Sequence, residues 1–297
     1  MAMLSLLTLA AAPQLGDPAA PHTFGVSGFG WFVSGTTCAG PAREQLPQQV
    51  ALAHAAGVRL LRFDLVWNTT EPRPGEYDFS GYDCWLPVIW DAGIRVLLIL
   101  DYHNSAYNGF GSPSTPAGVA AYSRFAAAAA KHYQGRDVIW EIYNEPLNFW
   151  AAPTGQMPVP ATHTPGPSLS SGVCLLYVGH GPAAPRSWDD PYCQQVFRWY
   201  AAMAISASKA IKAVSPTDLV VGPAVSERGF YWDRNQSFLR EIFARGVLEH
   251  FDAVTVHAYT AGPGRMWDPE EVIPAYESLR ALITLSTNRS VAIIDGE

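Results

Sequence analysis

Short apolar runs alternate with amphipathic stretches along the chain, a pattern that predicts repeated β-α units feeding one parallel sheet. Apolar runs at 22–30, 58–64, 94–100, 138–143, 219–223, 253–258 and 291–294 read as seven strands. Helical periodicity fills the intervals at 43–56, 82–92, 119–133, 192–214, 238–245 and 270–285. The punctuation agrees with these limits. Gly57 and Gly93 stand where helix C-caps belong, Pro116 suits a first helical turn, and the alanine run at 126–130 has very high helix propensity. Only 151–190 breaks the rhythm. It is rich in Pro, Gly, Ser and Ala and reads as a long loop insertion between the fourth strand and its helix.

No Pro/Gly/Ser linker cuts the chain into comparable halves, so the units predict one α/β domain, a (β/α)8 TIM barrel over 22–297. The sequence supplies seven strands of the eight, so the barrel is expected to be truncated after strand seven. A doubly wound open sheet is the alternative, but the first βα turn, SGFGWFV at 27–33, lacks the Gly-x-Gly-x-x-Gly spacing of a dinucleotide site. In a barrel the loops after the strands build the active-site face, so 151–190 belongs to it.

Composition narrows the function. At 48% hydrophobic and 15% charged the 297 residues can bury a large core. The net charge of −7, from 26 acidic and 19 basic residues with no basic run, argues against nucleic acid as a partner. No apolar stretch approaches the roughly 18 residues of a membrane span. Residues 3–12 have the length of a signal-peptide core, which makes 1–21 a signal peptide with an N-terminal tail and the protein secreted. Sequons at Asn68, Asn235 and Asn288 and an even count of four cysteines lean the same way. Cys174 and Cys193 flank a loop-like stretch that a disulfide would close, leaving Cys38 with Cys84, one of three connectivities; four buried thiols are the alternative. No Cys-x-x-Cys occurs, which argues against structural zinc. A monomer without a cofactor is expected.

The predicted strand ends carry chemistry. Strand two ends at Arg62, Asp64 and Trp67, strand three at Asp101 and His103, strand four at Asn144 and Glu145, strand six at His257 and Tyr259, and strand seven at Glu297. There is no nucleophile elbow, phosphate loop or His-Glu-x-x-His pattern. What remains is two carboxylic acids on opposite sides of a barrel mouth among Arg, Asn, His, Tyr and Trp. Such a pair suits glycosidic cleavage, in which one carboxyl protonates the leaving oxygen and the other attacks or activates water.

The segment IWEIYNEP at 139–146 resembles the strand-four signature of clan A glycoside hydrolases. VRLLRFD at 58–64 with Trp67, LILDYH at 98–103, TVHAY at 255–259 and IIDGE at 293–297 agree in order and spacing. Together, from residue 22 onward, they resemble glycoside hydrolase family 5, with family 39 as a near neighbour. The resemblance implies a retaining double displacement on β-linked polysaccharide or oligosaccharide, with Glu145 as acid/base, Glu297 as nucleophile and Asn144 on the substrate 2-hydroxyl. A retaining pair stands roughly 5–5.5 Å apart, a separation strands four and seven can offer. Two carboxyls so close do not both ionise readily, which suits one as acid and one as nucleophile.

Around this pair Arg62 is expected to stabilise Glu297, Tyr259 to hydrogen-bond it, and His103 and His257 to line the sugar subsite. Trp67, Trp31, Trp150 and Tyr107 are candidate sugar-stacking platforms, with core packing as the plainer reading. Glu141, two residues from Tyr143 on an alternating strand, reads as a buried structural partner of an Arg. His103 has the alternative of capping a loop. The sequon at Asn68 is expected to stay unused, since a glycan there would crowd the mouth. The competing function is a carbohydrate-binding barrel with impaired catalysis, disfavoured by the presence of both Glu145 and Glu297. A metal-dependent barrel hydrolase is disfavoured because strand one carries no His-x-His pair.

Overall fold

The computed structural model describes residues 25–27, 41–107, 111–149, 191–226, 236–258 and 272–296. In chain order the elements are β1 (Gly25–Ser27), α1 (Pro41–Ala55), β2 (Leu60–Val66), α2 (Trp67–Thr70), α3 (Ser80–Asp83), α4 (Leu86–Asp91), β3 (Arg95–Asp101) and α5 (Pro116–His132). There follow β4 (Ile139–Ile142), α6 (Pro146–Phe149), α7 (Pro191–Val214), β5 (Leu219–Val225), α8 (Ser237–Ala244), β6 (Ala253–Val256), α9 (Val272–Ser286) and β7 (Ala292–Asp295). Each strand pairs in parallel with the next, in the order β1-β2-β3-β4-β5-β6-β7. The sheet curls as a barrel wall would, with helices on its outer side. The loop at 151–190 and the tail at 1–21 lie outside the described residues.

Strand periodicity divides the core in two. Leu97, Ile99, Ile139, Val221 and Ala253 form a small cluster on the sheet's inner face, with Leu60, Leu219, Ala292 and Ile294 packed against it. The intervening positions, among them Leu61, Phe63, Val96, Leu98, Trp140 and Val254, face the helices and join a much larger cluster. The inner rows run on towards the strand ends as Arg62 and Asp64 on β2, Asp101 on β3, Glu141 on β4 and His257 beyond β6. A dry inner layer therefore underlies a polar one.

Outer helices hold the strand ends in place. In α5, Thr115 caps the N-terminus by accepting from the Gly118 amide, and Pro116 occupies the first turn. Its fully buried Ala121, Ala126, Ala129 and Ala130 permit close approach to α7, where the Ser123 hydroxyl donates to Ser206 at 2.7 Å. Tyr122 of α5 donates to the Leu100 carbonyl at 2.6 Å, and Tyr200 of α7 to the Ile142 carbonyl at 3.0 Å. Each bond anchors the residue just before a polar strand end, Asp101 in one case and Tyr143 in the other.

The expected helix at 82–92 is two short ones, α3 and α4, separated at Cys84 and Trp85. Trp85 turns inward, 3% exposed, with its ring edge-on to Phe63 at 4.8 Å. Cys84 and Cys193 are both disulfide-bonded. Cys38 and Cys174 lie outside the described residues, so the pairing itself stays an expectation. Among the described residues no helix is long and apolar enough to cross a membrane.

Candidate active site

The segment after β4 is built on an unusual backbone. Tyr143 and Glu145 both adopt positive φ, 65° and 43°, as does Ala224 on β5 at 51°. Such conformations cost roughly 1–3 kcal/mol each in a residue other than glycine and persist only where surrounding bonds over-determine them. Those bonds are present. The Glu145 amide donates to the Ala224 carbonyl at 3.1 Å, and the Asn144 amide donates to Oδ1 of Asp101 at 2.9 Å. The Tyr143 hydroxyl is 2.6 Å from that of Ser112. β5 shifts register between Gly222 and Val225, and the Ala224 amide donates to the Thr255 hydroxyl at 2.7 Å. These ties aim Glu145 at the inner face.

One guanidinium organises the side chains. Arg62 is 5% exposed, and its Nε donates to Oε2 of Glu141 at 2.7 Å. Its Nη2 donates to Oδ1 of Asn144 at 2.8 Å and stands 3.2 Å from Nε2 of His257. Its Nη1 donates to the Ser27 hydroxyl at 3.1 Å. Arg62 thus joins β1, β2, β4 and the end of β6. His257 is fully buried, and its Nδ1 lies 2.8 Å from Oε1 of Glu145. Asn144 also donates through Nδ2 to the Tyr102 hydroxyl at 3.0 Å.

Asp101 completes the polar layer. Complete burial, reinforced by the neighbouring Asp64 carboxylate, pushes its carboxyl well above the usual range, although the Asn144 amide and Arg62 pull the other way. Among the described residues, no hydrogen-bond partner meets its buried Oδ2. Burial also raises the Tyr102 hydroxyl, with Asp101 adding to the effect.

Several expected site residues meet at this place. Arg62, Asn144, Glu145 and His257 form one connected network at the strand ends. The reading of Glu141 as the buried partner of an Arg matches its 2.7 Å contact with Arg62. His103 is half-buried beyond β3, and burial lowers its imidazole below the usual range. Glu297 and Tyr259 lie outside the described residues, as do Trp31 and Trp150. Gly296, one residue before Glu297, sits directly on the network. A Cβ at Gly296 would stand 3.1 Å from Nε2 of His257 and 3.4 Å from Nε of Arg62.

Two expectations need correction. Trp67 is not a sugar-stacking platform: it is fully buried, stacked with Tyr107 at 5.4 Å and with Phe125 at 5.8 Å, with Tyr122 edge-on at 5.4 Å. Its indole Nε1 donates to Oε2 of Glu71 at 2.5 Å. A tryptophan opening the turn after a strand serves the core here because α2 folds it inward at once. His257, expected to line the sugar subsite, is instead fully buried, its ring enclosed between Glu145 and Arg62.

Sequence reasoning missed Glu71. It is fully buried and accepts from Trp67, from the Gly75 amide at 2.7 Å and from the Tyr107 hydroxyl at 2.7 Å. The Asn104 side-chain amide donates to the Glu71 carbonyl at 2.8 Å, so the loops after β2 and β3 are fastened together. The available signal was its spacing of four from Trp67, which puts both on one face of a helical turn. Among the described residues no group of three or more His, Cys, Asp or Glu side chains is arranged to hold a metal ion.

A curled sheet of parallel β-α units with a buried Asn-Glu pair at its strand ends is the wall of a TIM-type barrel, with its polar groups gathered where the strands end. The family model described as Cellulase (glycosyl hydrolase family 5) matches residues 20–297, and the chain belongs to that family. No curated protein matches the chain by sequence. Among solved structures it is similar to a family 39 glycoside hydrolase from Bacteroides cellulosilyticus WH2, at 19% identity and TM-score 0.52 over 74% of this chain and 37% of that one. It is also similar to a family 39 enzyme from Xanthomonas axonopodis pv. citri, at 18% identity and TM-score 0.54 over 91% of this chain and 50% of that one. The endo-1,4-β-mannanase of Rhizomucor miehei aligns at 14% identity and TM-score 0.56 over 95% of this chain and 79% of that one. The chain therefore spans half or less of the length of the first two, and the likeness to all three is one of fold.

Proposed function

We propose that the protein hydrolyses β-linked glycosides with net retention, Glu145 acting as acid/base and Glu297 as nucleophile. The observation that carries this reading is the setting of Glu145. Its side chain is 11% exposed at a strand end, braced by His257, beside an Asn144 whose oxygen is fixed by Arg62. A carboxyl so held can present one oxygen to a leaving group while the sugar's 2-hydroxyl meets Asn144. Gly296 against His257 and Arg62 supports the assignment of Glu297, since the next residue starts from beside the same network. In the first step the Glu297 carboxylate bonds to the anomeric carbon as Glu145 protonates the departing oxygen. In the second, Glu145 takes a proton from water, and the water oxygen displaces Glu297.

The two disulfide-bonded cysteines support an oxidising compartment and hence secretion. The test of the reaction is proton NMR of early hydrolysis of an aryl β-glycoside selected from a chromogenic panel. The β-anomer of the free sugar is expected first, relaxing later to the equilibrium mixture. The α-anomer appearing first would rule out retention.

A further inference from the structure

We propose that Glu141 is a positioning residue that acts through Arg62. By holding Arg62 Nε with an acceptor oxygen, it fixes His257 with its ring proton on Nδ1, and so determines which oxygen of Glu145 carries the transferable proton. The catalytic consequence rests on the role proposed above for Glu145; the tautomer does not.

A guanidinium has five N–H donors and no acceptor, so the nitrogen facing Arg62 Nη2 at 3.2 Å must offer a lone pair. That nitrogen is Nε2 of His257. In a neutral imidazole the proton then resides on Nδ1, because the bond made by one ring nitrogen sets the state of the other. Nδ1–H points at Oε1 of Glu145, 2.8 Å away, and donates to it. The opposite tautomer, and the doubly protonated ring, would set an N–H of Nε2 against an N–H of Arg62 inside a fully buried site. Hydrogen-bond donors facing each other without water are strongly disfavoured.

Arg62 can impose this choice only while its own plane is fixed. Glu141 fixes it at Nε, at 2.7 Å, in a pair 5% and 0% exposed. With Nε engaged, the planar fork directs Nη2 between Asn144 and His257 and Nη1 towards Ser27. Oε1 of Glu145 is thereby an acceptor whether or not the carboxyl is ionised. When Glu145 is the acid, its transferable proton therefore belongs on Oε2.

The test is the long-range proton–nitrogen spectrum of protein labelled with 15N-histidine, with the His257 signals identified by their loss in His257→Gln. The expected pattern is a protonated Nδ1 and an unprotonated Nε2. A proton on Nε2, or on both nitrogens, overturns the proposal. Glu141→Gln keeps an acceptor oxygen for Arg62 and is expected to hold the same tautomer; the other tautomer there contradicts the role given to Glu141. Glu141→Leu is expected to show both tautomers in exchange, with kcat on an aryl β-glycoside lowered on the order of a hundredfold and KM changed little. A single wild-type tautomer in that variant would equally contradict it. Should the leucine variant fail to fold, Glu141→Met, of similar length and likewise without an oxygen for Arg62, is read with the same expectation and the same contradicting result. These spectra are read on the resting protein, so they fail separately from the glycosidase reading, which fails in the product-anomer experiment.

Discussion

Nδ1 of His257 lies 2.8 Å from Oε1 of Glu145, a contact that joins the end of β6 to the end of β4 across the intervening β5. It holds one oxygen of the carboxyl and leaves the torsion of the side chain little freedom. His257→Ala is therefore expected to lower kcat on an aryl β-glycoside on the order of a hundredfold, with a much smaller change in KM, since misplacing a reacting group by about an ångström costs that much. Steady-state kinetics checks it. A rise in KM alone would mean that His257 serves substrate binding.

Gly296→Ala tests the close approach below the nucleophile candidate. The added Cβ would stand 3.1 Å from Nε2 and 3.2 Å from Cδ2 of His257, closer than packed atoms normally sit. Overpacking of this kind costs about 1–3 kcal/mol. The displaced ring would also disturb Glu145, so activity should fall by more than the loss of folded protein explains. Thermal unfolding and specific activity measured together separate the two effects.

Trp67 should behave as a core residue. Trp67→Ala is expected to destabilise by about 3–5 kcal/mol, the usual cost of emptying a buried aromatic site. Trp67→Phe keeps a ring but removes the donor to buried Glu71, at a cost of about 1–3 kcal/mol. Denaturant unfolding measures both. KM in the phenylalanine variant should match the wild type, whereas a sugar-stacking residue would raise it.

Asp101 gives stability a pH dependence whose sign follows from its raised folded-state value. The folded state holds the proton more tightly than the unfolded chain, so the contribution of Asp101 is fully present below the ordinary carboxylate range and is lost as pH rises through its folded-state value. Asp101→Asn keeps an oxygen for the Asn144 amide and carries no charge. It should raise Tm relative to the wild type at neutral pH, and the difference should shrink towards pH 4. A constant difference across that range would mean that Asp101 does not change its protonation on folding.

The repeat of strands and helices was legible because apolar runs such as 94–100 are bounded by glycines like Gly93, and because parallel strands buried on both faces are nearly continuous in Val, Ile and Leu. The Asn144–Glu145 pair was legible from its motif, and Glu141 as the buried partner of an arginine from its place on an alternating strand; that the arginine is Arg62 of β2 was not, because the two are 79 residues apart. The fate of Trp67 was not. An aromatic at a strand end packs inward or outward according to the turn that follows, and the four-residue helix α2 is too short to leave a periodic signal. His257 was placed at the right strand end, but its enclosure depends on Arg62 and Glu145 arriving from β2 and β4, contacts far apart in sequence. Glu71 was hidden for the same reason, since its partner Tyr107 comes from the next loop.

Azide rescue separates the role of Glu145 from that of Glu297. Glu145→Ala and Glu297→Gly would each be given a dinitrophenyl β-glycoside with sodium azide, and the anomeric configuration of the glycosyl azide read by NMR. A β-azide is expected from the Glu145 variant, formed by attack on the glycosyl-enzyme, and an α-azide from the Glu297 variant, formed by direct attack from the vacated face. The reverse pattern, or undiminished hydrolysis by either variant without azide, would contradict these roles.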